Sequence, residues 1–413
     1  MTTAHLLAEH VLPLFVNVVE GLFLVYFLLL TSGMLFLNIV AAWSIRRHME
    51  RHPTEGGSDR GAYSGHYPPI SILVPAYNEE ATIATTIRSM LQLNYPDFEV
   101  IVINDGSKDR TLEVAIEEFG LQPFAEVHRA RIPTKTVRGV YRSARYPNLH
   151  FLDKENGGKA DALNAGINAS VNPLFCGIDA DSVLQQDSLL KCVLPFLEDR
   201  STICTGGTIR IANGCRVQDG FLEAVGIPGA PLPLVQVVEY LRAFLFGRLG
   251  WSPMNALLIV SGAFGIFDRE SVVKVGGYST GTIGEDMELI VRLHRAMIEA
   301  GRPYRITYVP DPICWTEAPE SLRVLGSQRV RWQRGLAESL WRHRSLLFKR
   351  GSGAVGWLSY PYMLVFELFE PLVEVGGILF FVACSALGLV DWGATFLFLC
   401  LVLVLGLLQT VNA

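Results

Sequence analysis

Two carboxylates one residue apart, Asp179 and Asp181, close the apolar run Phe175-Cys176-Gly177-Ile178 and precede the Ser182 hydroxyl. Read as the end of a short buried strand, alternation puts both carboxylates on one face and turns Ala180 away. Like charges this close repel unless a cation joins them. A site with few oxygen ligands suits Mg2+ or Mn2+, with water and a ligand's phosphates completing the shell. Upstream, Gly157-Gly158-Lys159 lets backbone approach a ligand, and a helix starting at about Lys159 offers N–H groups and an ammonium to a diphosphate. Taken singly, each segment also reads as a solvated turn. Following one another directly along the chain, they read as an anion site beside a metal site.

A second acidic pair, Glu285-Asp286, opens a helix whose buried stripe is Leu289, Leu293 and Met297. Acids in a first turn are ordinary partners of the helix dipole. Their functional reading is a carboxylate aimed into a cleft, placed to take a proton from an acceptor hydroxyl. Before them, Ser261-Gly-Ala-Phe-Gly-Ile-Phe267 looks like a strand whose small residues admit a ligand. After them, Gln328, Arg331 and Trp332 sit in a helix that is basic from Arg323 to Arg350. A guanidinium fork suits phosphate oxygens and an indole face suits a sugar ring. Much of that charge also reads as a juxtamembrane basic helix.

These residues need a scaffold. Ile70 to Pro75 reads as a buried strand, followed by a helix from about Glu80 to Leu93. Phe98 to Ile103 is a second strand, ending in Asn104-Asp105-Gly106-Ser107, and Asp109 opens another helix. Apolar strands alternating with helices predict a parallel sheet covered on both faces. Ligands bind beyond the carboxyl ends of such strands, where Tyr77, Asn78, Glu79 and Asp105 fall. The segment 125–146, with His128, Arg129, Arg131, Lys135, Arg138, Arg142 and Arg145, reads as a solvated loop, with lipid headgroups or a partner as the lesser reading.

Of the 413 residues, 50% are hydrophobic and only 18% charged, too apolar for an ordinary soluble enzyme. The excess lies at the two ends. Gly21 to Trp43 runs about 23 residues without charge, long enough to cross a bilayer. A signal peptide would carry a shorter apolar region and a small-residue cleavage site. Arg46, Arg47 and Arg51 follow the span, while Glu9 and Glu20 are the acids before or within it. The positive-inside rule then puts the N-terminus outside and the rest of the chain in the cytosol. Pro228 to Met254 reads as a helix under the bilayer surface or against the terminal helices. Leu358 to Val375 reads as an interfacial helix with Glu367, Glu370 and Glu374 on one face, turned away from lipid. Gly376–Val390 and Trp392–Val411 read as two short spans turning at Asp391, in a chain that stops as a truncated one would. The division is therefore 1–48 spanning helix and basic flank, 49–68 linker, 69–350 catalytic domain, and 351–413 interfacial and spanning helices. A net charge of −5 excludes a general nucleic-acid binder. Seven cysteines without metal spacing or a CxxC pair read as reduced thiols of a cytosol-facing protein.

The ordered motifs V-P-A-Y-N-E-E, N-D-G-S, G-G-K-A-D-A-L-N-A-G, D-A-D-S, G-E-D and Q-R-V-R-W resemble those of the membrane-embedded family 2 glycosyltransferases. That group contains the cellulose, chitin, hyaluronan and poly-N-acetylglucosamine synthases. The resemblance covers about residues 70–335. It implies a GT-A fold with a Rossmann-like mixed sheet, a nucleotide-sugar donor (usually a UDP-sugar), a divalent metal, Mg2+ or Mn2+, and inversion at the anomeric carbon. By resemblance, Tyr77, Glu79 and Asp105 hold the uracil and ribose, and Lys159 touches the diphosphate. Asp179 lies near ribose and metal, Asp181 ligates the metal, and Asp286, with Glu285 beside it, matches the general base. Gln328, Arg331 and Trp332 match a motif over the pyrophosphate and acceptor sugar. Many synthases carry Thr before the Glu-Asp pair; this chain has Gly284.

The expected protein is thus an integral inner- or plasma-membrane glycosyltransferase of bacterial type, with its catalytic domain in the cytosol. Its acceptor is a growing polysaccharide. The rivals are a single transfer to a lipid or lipid-linked acceptor, and a non-catalytic subunit of an export machine. Membrane lipids and membrane partner subunits are the expected contacts besides substrate.

Overall fold

A computed structural model describes residues 12–51, 67–125, 130–218 and 220–411. Most of the linker expected at 49–68, together with Glu9, His128 and Arg129, lies outside the described residues.

The chain begins with α1 (Leu12–Arg51), 40 residues long. At 1.5 Å per residue it measures about 60 Å, roughly twice a hydrocarbon core. Most of its apolar side chains are exposed, Leu22, Leu29 and Ile39 among them. Leu37 and Ala41 are buried instead, where the helix crosses the short helical turn Leu249–Trp251. His48 and Asp311 meet at 2.9 Å, tying its far end to the next domain.

That domain is built on one ten-stranded sheet. Its elements in chain order are β1 (Ile70–Ala76), α2 (Ile83–Leu91), β2 (Phe98–Asn104), α3 (Thr111–Phe119), β3 (Leu121–Pro123), β4 (Val137–Ser143), β5 (Leu149–Lys154), α4 (Lys159–Ala169), β6 (Leu174–Ile178), β7 (Val183–Leu184), α5 (Ser188–Glu198) and β8 (Thr202–Ile211). A small hairpin follows, β9 (Arg216–Gln218) and β10 (Phe221–Ala224), then α6 (Pro231–Tyr240) and a π-helical stretch, Leu241–Arg248. Then come β11 (Phe264–Asp268), α7 (Arg269–Lys274), α8 (Glu285–Glu299), β12 (Arg305–Thr316) and α9 (Leu322–Arg342). The strand order is β3-β4-β5-β2-β1-β6-β11-β8-β12-β7. β1, β2, β5 and β6 pair parallel, as expected of strands that are buried on both faces.

The sheet is mixed, not wholly parallel. β11 is antiparallel to both neighbours, β6 and β8, so β8 runs with β6, and β12 runs with β8. The carboxyl ends of β1, β2, β6, β8 and β12 therefore share one edge. Within the basic segment read as a loop, residues 137–143 form β4, antiparallel to β5; Arg142 stacks on the Phe124 ring at 4.4 Å. The helices after β1 and β2 start later than expected, at Ile83 and Thr111, and Asp109, two residues before the second, accepts from the Thr111 N–H at 3.1 Å.

The C-terminal part differs from expectation. Leu358–Val375 is not one helix: π-helical turns at Val355–Ser359 and Met363–Leu368 break it, and α10 (Glu370–Ala386) starts after Phe369. Glu367 and Glu370 thus belong to different segments. α11 (Trp392–Val411) follows. Among the described residues only α1 is long and apolar enough to cross a membrane; the apolar stretch of α11, Thr395–Val404, is shorter than a span, so the two C-terminal spans expected there are not supported.

Candidate active site

β6 ends at Ile178, so Asp179 stands just past the strand and Ala180-Asp181 form a turn, closed by the Ser182 N–H donating to the Asp179 carbonyl at 3.1 Å. Strand alternation, expected to align the two carboxylates, does not operate here. The turn brings them together instead. Burial, then the neighbouring Asp179, pushes the Asp181 carboxyl above its ordinary range, and Glu79 from the end of β1 adds to this.

Lys159 is the first residue of α4 and the hub of the site. Its Nζ pairs with Asp179 Oδ1, donates to the Gly262 carbonyl at 3.0 Å and lies 3.9 Å from Glu285 Oε1. Burial alone would lower its pKa; Asp179 and Glu285 outweigh that and raise it. Glu285 and Asp286 open α8, with Asp286 Oδ2 packed against the backbone of Gly262. Burial and the adjacent Asp286 push the Glu285 carboxyl up. The Tyr278 ring, Lys159, Glu285 and Asp286 line one small cavity at the end of β6. Asn164 of α4 fixes that tyrosine's backbone, accepting from its N–H at 2.7 Å and donating to its carbonyl at 2.8 Å.

The pair Asp179 and Asp181 fits a hard divalent cation. Among the described residues no cluster of three or more ligating side chains forms, and one or two carboxylates plus phosphates is how such an ion is held beside a nucleotide.

Asp105 is placed differently from a free nucleotide ligand. It is buried, its Oδ1 accepts from Lys154 Nζ at 2.6 Å and Gly157 N–H at 3.0 Å, and its Oδ2 accepts from Gly158 N–H at 2.7 Å. Its carboxylate therefore builds the Gly-Gly turn that launches Lys159. Lys154 is fully buried and also meets Asp161 at 2.7 Å. Asp105→Ala would leave that ammonium half-compensated and is expected to cost about 3 kcal/mol of stability, read as a lowered unfolding midpoint. An unshifted midpoint would remove the role. Tyr77 stands half-exposed after β1, and Asn78 holds the left-handed region at φ 58° with its Oδ1 accepting from Lys108 N–H at 2.9 Å.

α9 clamps the approach to α8. Gly335 meets Gly284 backbone to backbone: a Cβ added at Gly284 would stand 2.8 Å from the Gly335 Cα, and one at Gly335 would stand 2.9 Å from the Gly284 Cα. Where many synthases carry Thr, this chain thus has no room for a side chain. The Glu338 carboxylate accepts from Thr282 Oγ1 at 2.9 Å and from the Ile283 N–H at 3.2 Å. Buried Glu288 and His343 meet at 3.0 Å, joining α8 to the end of α9. Gly335→Ala is expected to force the two helices apart at a cost of about 1–3 kcal/mol, measured by thermal melting. A midpoint equal to wild type would mean that the contact yields freely.

α9 also carries Gln328, Arg331 and Trp332. Trp332 is 46% exposed with the Arg329 guanidinium over its ring at 4.5 Å, while Arg331 is exposed. Among the described residues no hydrogen bond or ion pair joins these three to the Lys159 cluster. The structure therefore gathers Glu79, Lys159, Asp179, Asp181, Glu285 and Asp286, sets Asp105 behind the Gly-Gly turn, and leaves the Gln328–Trp332 motif outside the cluster. Sequence reasoning missed Lys154, whose signal is a lone cation ending an apolar strand. It also missed Arg248, at the end of the π-helical stretch, close enough to Asp286 for its charge to be felt.

The description glycosyltransferase like family 2 fits residues 68–335, well over half the chain. The chain belongs to glycosyltransferase family 2. Its family 2 domain carries every residue of the Lys159 cluster. The poly-beta-1,6-N-acetyl-D-glucosamine synthase of Staphylococcus aureus is 33% identical over 277 residues, which make up 66% of this chain and 56% of that one. The synthase of the same name from Staphylococcus epidermidis is 31% identical over 275 residues, 66% of this chain and 56% of its own length. This family 2 chain thus spans 56% of the length of the curated relatives it matches. Among solved structures, a mannosyltransferase from Pyrobaculum calidifontis in complex with GDP-Man and Mn2+ superposes with a TM-score of 0.57 at 18% identity, covering 93% of this chain and 95% of that one. That likeness concerns the fold: a mixed α/β sheet of GT-A type.

Proposed function

We propose that this protein is a membrane-bound, inverting glycosyltransferase that moves a sugar from a nucleotide-sugar donor, a UDP-sugar, to a growing polysaccharide on the cytosolic side of the membrane. The observation that carries the reading is the convergence of Asp179, Asp181, Lys159, Glu285 and Asp286 on one cleft of a family 2 domain. The printed name of the staphylococcal relatives makes UDP-N-acetylglucosamine the first donor to try.

The nucleoside lies over the ends of β1 and β2, near Tyr77 and Glu79, on the turn that Asp105 organises. Lys159 turns its ammonium from Asp179 to the diphosphate. Asp286 accepts the proton of the acceptor hydroxyl as its oxygen bonds to the anomeric carbon. The bond from that carbon to the diphosphate oxygen breaks, and the electron pair leaves with the nucleotide. Attack from the face opposite the leaving group inverts the configuration. Glu285 keeps Lys159 in the cleft. Arg331 and Trp332 of α9 approach once the acceptor fills the space between that helix and the cluster. Mg2+ or Mn2+ held by Asp181 and Asp179 neutralises, when bound, charge developing on the departing diphosphate. Fixed charges in a water-poor site act strongly because they need no reorganisation during the reaction.

α1 supports membrane anchoring, with Arg46, Arg47 and Arg51 holding the catalytic domain on the cytosolic side. The test is incubation of the purified protein with a panel of nucleotide sugars and Mn2+ or Mg2+, reading released nucleoside diphosphate and product mass. A polymer ladder supports the synthase; one lipid-soluble product would replace it with single transfer. Release of no nucleoside diphosphate from any donor would overturn the enzyme.

A further inference from the structure

The strands beyond β6 end at the same edge as the acids, and they carry two polar side chains that the Lys159 cluster does not use. Cys176, Ile266 and Thr205 form one row across β6, β11 and β8. Arg210 lies five residues past that row along β8, and Asp181 lies in the turn just beyond the end of β6 at the same edge. Arg210 is next to last in β8 and is level with Trp315, next to last in β12; Trp315 is in turn level with Val183 of β7, two residues after Asp181. Residues level across neighbouring strands share a face. The alternate row, Ile209, Cys314 and Leu184, is buried in the core, so Arg210, Trp315 and Val183 face the other way. On that same face of β8, Gly206 abuts the Val260 side chain, and Val260 leads into Ser261-Gly262 at the cleft.

Among the described residues neither side chain has a partner. Trp315 is only 4% exposed, and its Nε1–H meets no acceptor. Arg210 Nε is buried without an acceptor, and among the described residues its guanidinium makes no hydrogen bond or ion pair. Burial lowers the Arg210 pKa. Unmet buried donors are costly, and a ligand that supplies oxygen lone pairs relieves them. The edge thus has an order. Ends of β2 and β1 carry the candidate nucleoside residues, the end of β6 carries the acids, and the ends of β8 and β12 carry two groups that only donate.

We propose that Arg210 and Trp315 form an acceptor-side subsite, binding hydroxyl or acetamido oxygens of the acceptor's terminal saccharide. The inference rests on the function proposed above and adds the residues that hold the second substrate.

The test uses the full chain with UDP-N-acetylglucosamine and a β-1,6-linked N-acetylglucosamine pentasaccharide as the acceptor probe. Arg210→Gln is expected to raise the pentasaccharide KM about 10–100-fold, as loss of a charged hydrogen-bond donor does. Trp315→Phe, which keeps the ring volume but loses the N–H, raises it several-fold, and Arg210→Lys recovers part of the loss. UDP affinity by calorimetry stays at the wild-type value in all three, which also shows that each variant is folded. An unchanged pentasaccharide KM overturns the subsite while leaving the proposed function standing. A parallel loss of UDP affinity overturns it as well, by assigning the pair to the donor side or to the fold. Wild-type protein that releases UDP yet never lengthens the pentasaccharide overturns the polymer reading, and the subsite falls with it.

Discussion

Asp286→Asn is expected to lower sugar transfer by at least about 10²–10⁴-fold while UDP binds almost as well as to wild type. The substitution keeps size and hydrogen-bonding reach and removes only the capacity to accept a proton. Asp286 sits in the first turn of α8, against the Gly262 backbone and near Lys159, apart from the ends of β1 and β2 where the proposed function puts the base and ribose. The expected loss therefore appears in kcat and not in UDP affinity, measured by steady-state release of UDP and by calorimetry. Transfer by Asp286→Asn at the wild-type rate would end the assignment of this carboxylate as the base. Retained transfer with weakened UDP binding would move Asp286 to the donor side.

Asp181→Ala is the second large effect. Donor binding to wild type should be stronger with Mn2+ than without it. In the variant the two affinities should converge, a loss of at least about 100-fold in the metal-dependent part, since even partners one step removed from a metal typically matter 10–100-fold. Calorimetry with and without Mn2+ reads this directly, and a metal effect that survives in Asp181→Ala would take Asp181 out of the site. The pH dependence has a definite sign. Burial and Asp179 hold the Asp181 carboxyl above its ordinary range, so a proton competes for it at higher pH than for an exposed aspartate. Metal-dependent donor binding should accordingly weaken as pH falls, starting above the usual carboxylate range.

Much of this site is legible in the sequence because its parts are local. The apolar runs at Ile70–Ala76, Phe98–Asn104 and Leu174–Ile178 are strands because both faces of the sheet are covered. The helix starting at Lys159 follows from Gly157-Gly158, and that starting at Glu285 from its apolar stripe. What stayed hidden depends on partners far along the chain. Asp105 finds Lys154 and the Gly-Gly turn some fifty residues away, which no spacing rule reports. The antiparallel β11 is as apolar and buried as β6 beside it, since direction leaves no mark on a run buried on both sides. β4 was hidden by its arginines, which the strand tolerates next to the sheet's outermost strand because most of its side chains are only partly buried. The breaks at Met363–Leu368 and Leu241–Arg248 are shifts in hydrogen-bond register with little compositional trace.

The touching glycines, one just before α8 and one within α9, also bear on how this domain can change. Each position is held small by the other's main chain, not by a side chain that could shrink to compensate. A threonine grafted at 284 would find the space already taken, and altering 335 first meets the same wall. Only a coordinated displacement of the whole α9 helix opens another route. Homologue-guided redesign of the Glu285-Asp286 segment must therefore transplant both helices as one cassette.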